Sequence, residues 1–152
     1  MTARSWIAIL PLLAGCASAP PPAPAPKAAV DPVSEAWYGE TAAELAKKAK
    51  AAEQLLDAGK PDDAAAIIMQ AQPLESRLLA APRPTLPALE AASDLDCLYA
   101  RMLLRNQHVG WARMLYQKDQ VRWKNWSPRT GDTERRLKRA QAGLAECDRL
   151  LR

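Results

Sequence analysis

The chain has 152 residues, 49% of them hydrophobic, with 13 Pro, 6 Gly, no Phe and a formal net charge of +4. That length admits one domain with a modest core and excludes two full-sized ones. β-branched residues are scarce and no window alternates apolar and polar residues for long, which excludes a sheet and leaves an all-α fold.

At the start, Arg4 precedes an apolar run from Trp6 to Leu13 that is too short to span a bilayer as a mature helix. The run ends in Leu13-Ala14-Gly15-Cys16, a step of small residues into a cysteine. This pattern resembles the lipobox of bacterial lipoproteins. The resemblance implies cleavage before Cys16, diacylation of its thiol, a membrane-anchored chain and a cell-envelope location. Ala17 stands where, in the enterobacterial sorting rule, an Asp would favour retention at the inner membrane, so the expected address is the outer membrane with the domain facing the periplasm. Residues 1–15 are thus read as signal peptide. Residues 16–33 are read as a lipid-anchored linker, whose Pro20, Pro21, Pro22, Pro24, Pro26 and Pro32 favour extended polyproline geometry at about 3.1 Å per residue.

Residues 34–152 are read as a small bundle of about four helices. A first helix is expected from Ser34 to Asp57, with Trp37, Thr41, Leu45, Ala49, Ala52, Leu55 and Leu56 on one face. Thr41 to Glu44 has capping-box spacing, so the regular helix is expected to begin there. Gly59 suits the left-handed position that ends this helix and Asp62 the N-cap of the next. The second helix carries Ala64, Ile67, Ile68, Ala71, Leu74 and Leu78, with Pro73 expected to kink or divide it. From Ala51 to Ala64 the sequence looks like the helical hairpin of tetratricopeptide repeats, in which a glycine ends one helix and small residues let the pair pack closely. The segment one 34-residue period further on, Pro84 to Leu98, has no matching Gly turn, so no regular array is expected.

A third helical region, from Leu86 to Trp126, is apolar on two faces and is expected in the middle of the bundle. Asn106 to Gly110 are its weakest helix formers; a continuous, bent helix is preferred over a break there. The last helix is expected to be capped by Asp132 or Thr133 and to pack by one seam, Leu137, Ala140, Leu144, Cys147 and Leu151, with Arg135, Arg136, Lys138 and Arg139 outside.

Cys97 and Cys147 form an even pair in a chain expected to meet an oxidising compartment, so a disulfide is predicted. The alternative is two neighbouring buried thiols. Residues 31–96 carry a net charge of −6 and residues 97–152 a net of +8. Either the basic half faces an anionic partner, or the halves fold together and neutralise each other. Arg122, Trp123, Lys124, Trp126 and Arg129 interleave indoles with cations and are the candidate partner-binding residues; the alternative is that the indoles plug the end of the bundle.

No catalytic residue is assigned. His108 is the sole imidazole, and Asp94 and Asp96, two apart, point to different sides of a helix and read as ion-pairing groups. No metal or other cofactor is expected beyond the covalent lipid on Cys16, since one His and two separated thiols do not make a metal site. The envelope address removes nucleic acid despite the basic charge. The function expected is that of a non-catalytic accessory or scaffold lipoprotein gripping an envelope or secretion-system protein. The alternative is a module binding anionic glycan or lipopolysaccharide.

Overall fold

The computed structural model describes residues 31–152; Cys16, the signal segment and most of the linker lie outside the described residues. It is all-helical. A 3-10 turn at Pro32–Ser34 leads into α1 (Ala36–Asp57), α2 (Pro61–Leu79), α3 (Leu86–Arg105), α4 (Val109–Lys124) and α5 (Gly131–Leu150). Among the described residues, no helix is long and apolar enough to cross a membrane.

The helices form two stacked hairpins and a closing helix. α1 packs on α2 and α3, α2 on α3, α3 on α4 and α4 on α5, while α5 touches α3 only along a narrow line. Backbone contacts are absent between α1 and either α4 or α5, and between α2 and α4. This is an open stack in which α3 is the shared middle helix, as its two apolar faces require.

α1 begins at Ala36, earlier than the Thr41 box suggests, because the Thr41 hydroxyl turns back to donate to the Trp37 carbonyl at 2.7 Å instead of capping. Val33 packs on the core, so packing reaches one residue into the segment assigned to the linker. Gly59, at φ 73°, ends the helix in a Schellman turn: Lys60 N–H donates to the Leu55 carbonyl at 2.9 Å and Gly59 N–H to that of Leu56 at 3.1 Å. α2 starts at Pro61, so Asp62 lies in the first turn rather than at the N-cap and there complements the helix dipole. Pro73 sits inside an unbroken α2. Its ring and the Met69 residue whose carbonyl it cannot bond are both on the exposed face of the helix.

The expected continuous third helix is two helices. The chain reverses at Asn106-Gln107-His108 by the same Schellman turn, with Gln107 at φ 61°, His108 N–H donating to the Leu103 carbonyl at 2.8 Å and Gln107 N–H to that of Leu104 at 3.0 Å. Reversal lets the apolar faces of α3 and α4 cover one another, which a straight rod leaves to other helices. The turn falls well beyond a 34-residue step from Gly59. Trp111, placed by the sequence on a face needing cover, is 65% exposed and lies with Met114 and Val121 on the outside of α4. At the last helix Thr130, not Asp132 or Thr133, is the N-cap, its hydroxyl accepting from Thr133 N–H at 3.2 Å while Thr133 completes the capping box. The α5 seam buries Thr133, Ala140 and Cys147; Leu151 lies beyond it, exposed.

Two apolar clusters hold the stack. The larger joins α1, α2 and α3 through Tyr38, Leu45, Leu56, Ile68, Leu78 and Leu95, separated by alanines that let the helices approach closely. Each such large side chain contributes about 1.5–3 kcal/mol by its burial. The smaller joins α3, α4 and α5 through Cys97, Leu103, Ala112, Tyr116 and Cys147. Here the predicted disulfide is absent: Cys97 and Cys147 are free, buried thiols. α3 and α5 meet only narrowly, and the Tyr116 ring of α4 fills the same cluster, packed against Gly143 one turn before Cys147. Burial raises both thiols, Cys97 to about 11, so they stay protonated.

Candidate binding site

The five residues singled out as a partner-binding cluster do not stand together on the surface. Trp123 is 1% exposed and donates its indole N–H to the Ser93 hydroxyl at 2.8 Å, clasping the open end of the α3–α4 hairpin. Trp126 packs edge-on against it, with ring centroids 6.3 Å apart. Arg122 turns inward and bonds Asp119 at 2.6 Å and Asp96 at 3.4 Å. Lys124 and Arg129 are exposed, and the Arg129 guanidinium donates to the Lys124 carbonyl at 3.3 Å, holding the turn into α5.

Arg122 belongs to a buried polar network that the sequence did not reveal. Asp96 and Asp119 are both nearly inaccessible, and Lys118 reaches over them to bond Asp96 at 2.7 Å and Glu75 at 3.2 Å. Lys118 therefore ties α2 to α4, whose backbones do not meet. Burial, followed by the nearby Asp96 charge, raises the Asp119 carboxyl to about 7, against the pull of Arg122, Ser93 and Lys118. Glu75 is raised for the same two reasons. The only sequence signal was Asp119 falling between apolar positions of α4 at helical spacing.

Asp94 faces the other way, to α5. Arg136 bonds it at 2.8 Å and Glu90 at 3.0 Å, and Arg139 bonds Asp94 at 2.5 Å. Arg101 pairs with Glu53 and Asp57 across to α1. Most ion pairs thus join the basic half of the chain to the acidic half, which neutralises much of the charge asymmetry internally.

Five cations, four of them ion-paired, line one groove. Since α1 and α5 both flank α3 without meeting, a solvent-open groove of about 550 Å³ lies between them. Its floor is α3, with Leu98 exposed little and Cys97 beneath it, and Ala46 and Ala49 of α1 make one side smooth. Lys50 stands on the α1 wall with no ion pair, and Arg135 on the α5 wall is about three-quarters exposed, paired only with Asp132 of its own helix. Arg101, Arg136 and Arg139 line the groove beside them, against Glu53 and Asp94 as its only carboxylates. The sequence placed the α5 arginines on a wet outside face; that this face overlooks α1 across a gap depends on the stacking of three helices, which local spacing does not carry.

His108 lies exposed on the α3–α4 turn, beside Tyr99, Leu103 and Trp111, and its side chain makes no hydrogen bond among the described residues. Comparison of the chain with family models, with curated proteins and with solved structures finds no match.

Proposed function

We propose that this chain is a non-catalytic accessory or scaffold lipoprotein, anchored in the outer membrane through lipid on Cys16, that binds another protein of the envelope or a secretion system. The observation that supports the reading is the groove between α1 and α5: it is open, walled by helices and lined by side chains that include the unpaired Lys50 and an exposed Arg135 paired only within its own helix. Such a surface binds without needing a nucleophile or base. The exposed stripe of Trp111, Met114 and Val121 on α4 adds a second face suited to contact. Stacking of a glycan on the Trp123 and Trp126 cluster draws no support from an indole as enclosed as Trp123.

Crosslinking of the full chain in its native envelope, followed by mass spectrometry, tests the proposal. A recurrent protein neighbour crosslinked to α1 or α5 is the expected result; adducts confined to lipid or glycan would overturn it. Mass analysis of the mature amino terminus checks the anchor, the expected species being an acylated Cys16.

A further inference from the structure

We infer that the outer face of α4 docks the domain on an anionic phospholipid surface. This rests on the membrane anchor of the reading above and adds a second, non-covalent contact with the same membrane.

Two observations select lipid, and the first is the composition of the face. Trp111, Met114 and Val121, each more than half exposed, follow one side of α4 over about 15 Å at about 1.5 Å of rise per residue. The exposed charges of this helix are basic, Lys118 and Lys124, while its only carboxylate, Asp119, is 2% exposed. Lys118 is paired, but its partners Glu75 and Asp96 lie beneath it with side chains 12% and 4% exposed, so the ammonium rather than the carboxylates meets the solvent. Arg113 pairs with Asp148 at the α5 edge. Lys124 and Arg129 have no carboxylate partner among the described residues, and the Arg129 guanidinium is held beside Lys124 by its carbonyl. An indole settles among lipid headgroups, and long cationic side chains reach phosphates from the margin of an apolar stripe. Each cation near an anionic leaflet adds to the attraction.

The second observation is where the tether leaves the fold. α1 and α3 run parallel, since Arg101 near the end of α3 pairs with Glu53 and Asp57 near the end of α1. Asp31 therefore begins the described chain at the end where Trp123 bonds Ser93, and Lys124 and Arg129 follow Trp123 there. Fifteen residues separate Cys16 from Asp31, a reach of up to about 46 Å at about 3.1 Å each. α4 is about 24 Å long. An anchor at Cys16 thus brings the basic end of α4 to the bilayer, with enough chain for the helix to lie along it and a high effective concentration of lipid.

A second copy of the chain fits this face poorly. A two-fold contact between α4 helices sets Lys118 and Lys124 of one copy against a helix that offers no exposed carboxylate. The contact leans on α4 rather than on its neighbour α2, whose first turn exposes Asp62 and Asp63.

Methionine footprinting tests the docking, with the full chain coupled through Cys16 to a maleimide-bearing lipid in vesicles of phosphatidylethanolamine and phosphatidylglycerol. Cys97 and Cys147 are buried and stay unreacted. Chemical coupling supplies the tether whether or not cells acylate Cys16, so the outcome is separate from that of the anchor. Met114 is 59% exposed and Met69, on α2, is 70% exposed, so peroxide oxidises both in solution. On the vesicles Met114 is expected to be oxidised about fivefold or more slowly, and Met69 within about twofold of its free rate. Lys124→Glu/Arg129→Glu should return Met114 to within about twofold of its free rate, and so should Trp111→Ser/Val121→Ser, which leaves the turn into α5 untouched. Lys47→Glu/Lys60→Glu makes an equal charge change elsewhere and should leave the protection in place. Phosphatidylcholine in place of the anionic lipid should remove most of it. Equal slowing at Met69, slowing that survives both α4 variants, or slowing at high protein concentration without vesicles would overturn the assignment, the last in favour of a second copy. So would an unprotected Met114; protein crosslinks from α4 in the envelope would then give the face to that protein and leave the scaffold reading standing.

Discussion

The two hairpins turn alike and are cemented differently. α1–α2 and α3–α4 each reverse through three residues, with a left-handed residue in the middle, Gly59 in one and Gln107 in the other. Each is clasped at its open end by an aromatic hydrogen bond, Tyr38 to the Leu78 carbonyl and Trp123 to the Ser93 hydroxyl. Between turn and clasp, the first hairpin is filled with leucine, isoleucine and alanine. The second encloses Asp96, Asp119, Arg122 and, against α5, a tyrosine and the Cys97 thiol. Backbone geometry is thus set by the turn, while the filling decides how the hairpin responds to substitution and pH.

The largest effect should come from removing the cation that holds two buried carboxylates. Arg122→Met leaves Asp96 and Asp119 facing each other with only Lys118 nearby, and should cost about 3–5 kcal/mol in urea unfolding. In the first hairpin the comparable change is Leu45→Ala, costing about 2–5 kcal/mol through its cavity. The difference lies in pH dependence. Loss in the Leu45 variant should be the same at every pH, whereas the Arg122 variant should recover as acid protonates the two carboxylates.

The unsubstituted chain should show the same chemistry more weakly. Asp119 titrates at about 7 when folded and at about 3.9 when unfolded. The folded state therefore holds the extra proton between those values, and stability falls as pH rises through that window. Its contribution is fully present below about 4 and is lost through about 7. Glu75, also raised, acts with the same sign. Thermal melts from pH 4 to 8 should show the decline, and Asp119→Asn should flatten most of it. A melting temperature that rises across this range would contradict the assignment.

Smaller still is the effect of filling α5 where it meets α4. A Cβ at Gly143 runs into the Tyr116 ring, so Gly143→Ala should cost about 1–3 kcal/mol by overpacking. Gly39, in α1, has open space around it, and Gly39→Ala should instead stabilise by about 0.5–1 kcal/mol through helix propensity. Equilibrium urea denaturation of the two variants should move the midpoint in opposite directions.

What was legible in the sequence follows the same division. The first hairpin could be read because its interior is apolar at steps of three and four and its turn is marked by Gly59. Leu45, Ala49, Ala52, Ala64, Ile68 and Leu78 were placed on the inner faces and are buried there. In the second, Gln107 carries no such mark, so α3 and α4 looked like one rod; Trp123 and Trp126 could be read as a binding cluster or as a plug for the end of the bundle, and Trp123 is buried as the second reading has it, while nothing local marked Arg122 as turning inward. Arg122 is drawn inward by Asp96 and Asp119, one on another helix and both concealed among residues that also occur on wet faces. The groove lies further beyond local pattern, since Lys50 and Arg135 are 85 positions apart and share a site only through stacking on α3.

The shared turn supplies the finest test, through exchange of the residues at its centre. At Gly59 an alanine must adopt a positive φ that crowds its Cβ against the carbonyl, so Gly59→Ala should destabilise by about 1–2 kcal/mol. At Gln107 that cost is already present, and Gln107→Gly relieves it. The relief is smaller than the penalty at Gly59 because glycine also gains freedom in the unfolded chain, leaving a net stabilisation of about 0.5 kcal/mol. Denaturant midpoints should therefore shift down for the first variant and slightly up for the second. Two shifts of the same sign would mean that Gln107 holds its left-handed geometry for a reason specific to α3 and α4, and the two turns would then share a shape without sharing its cause.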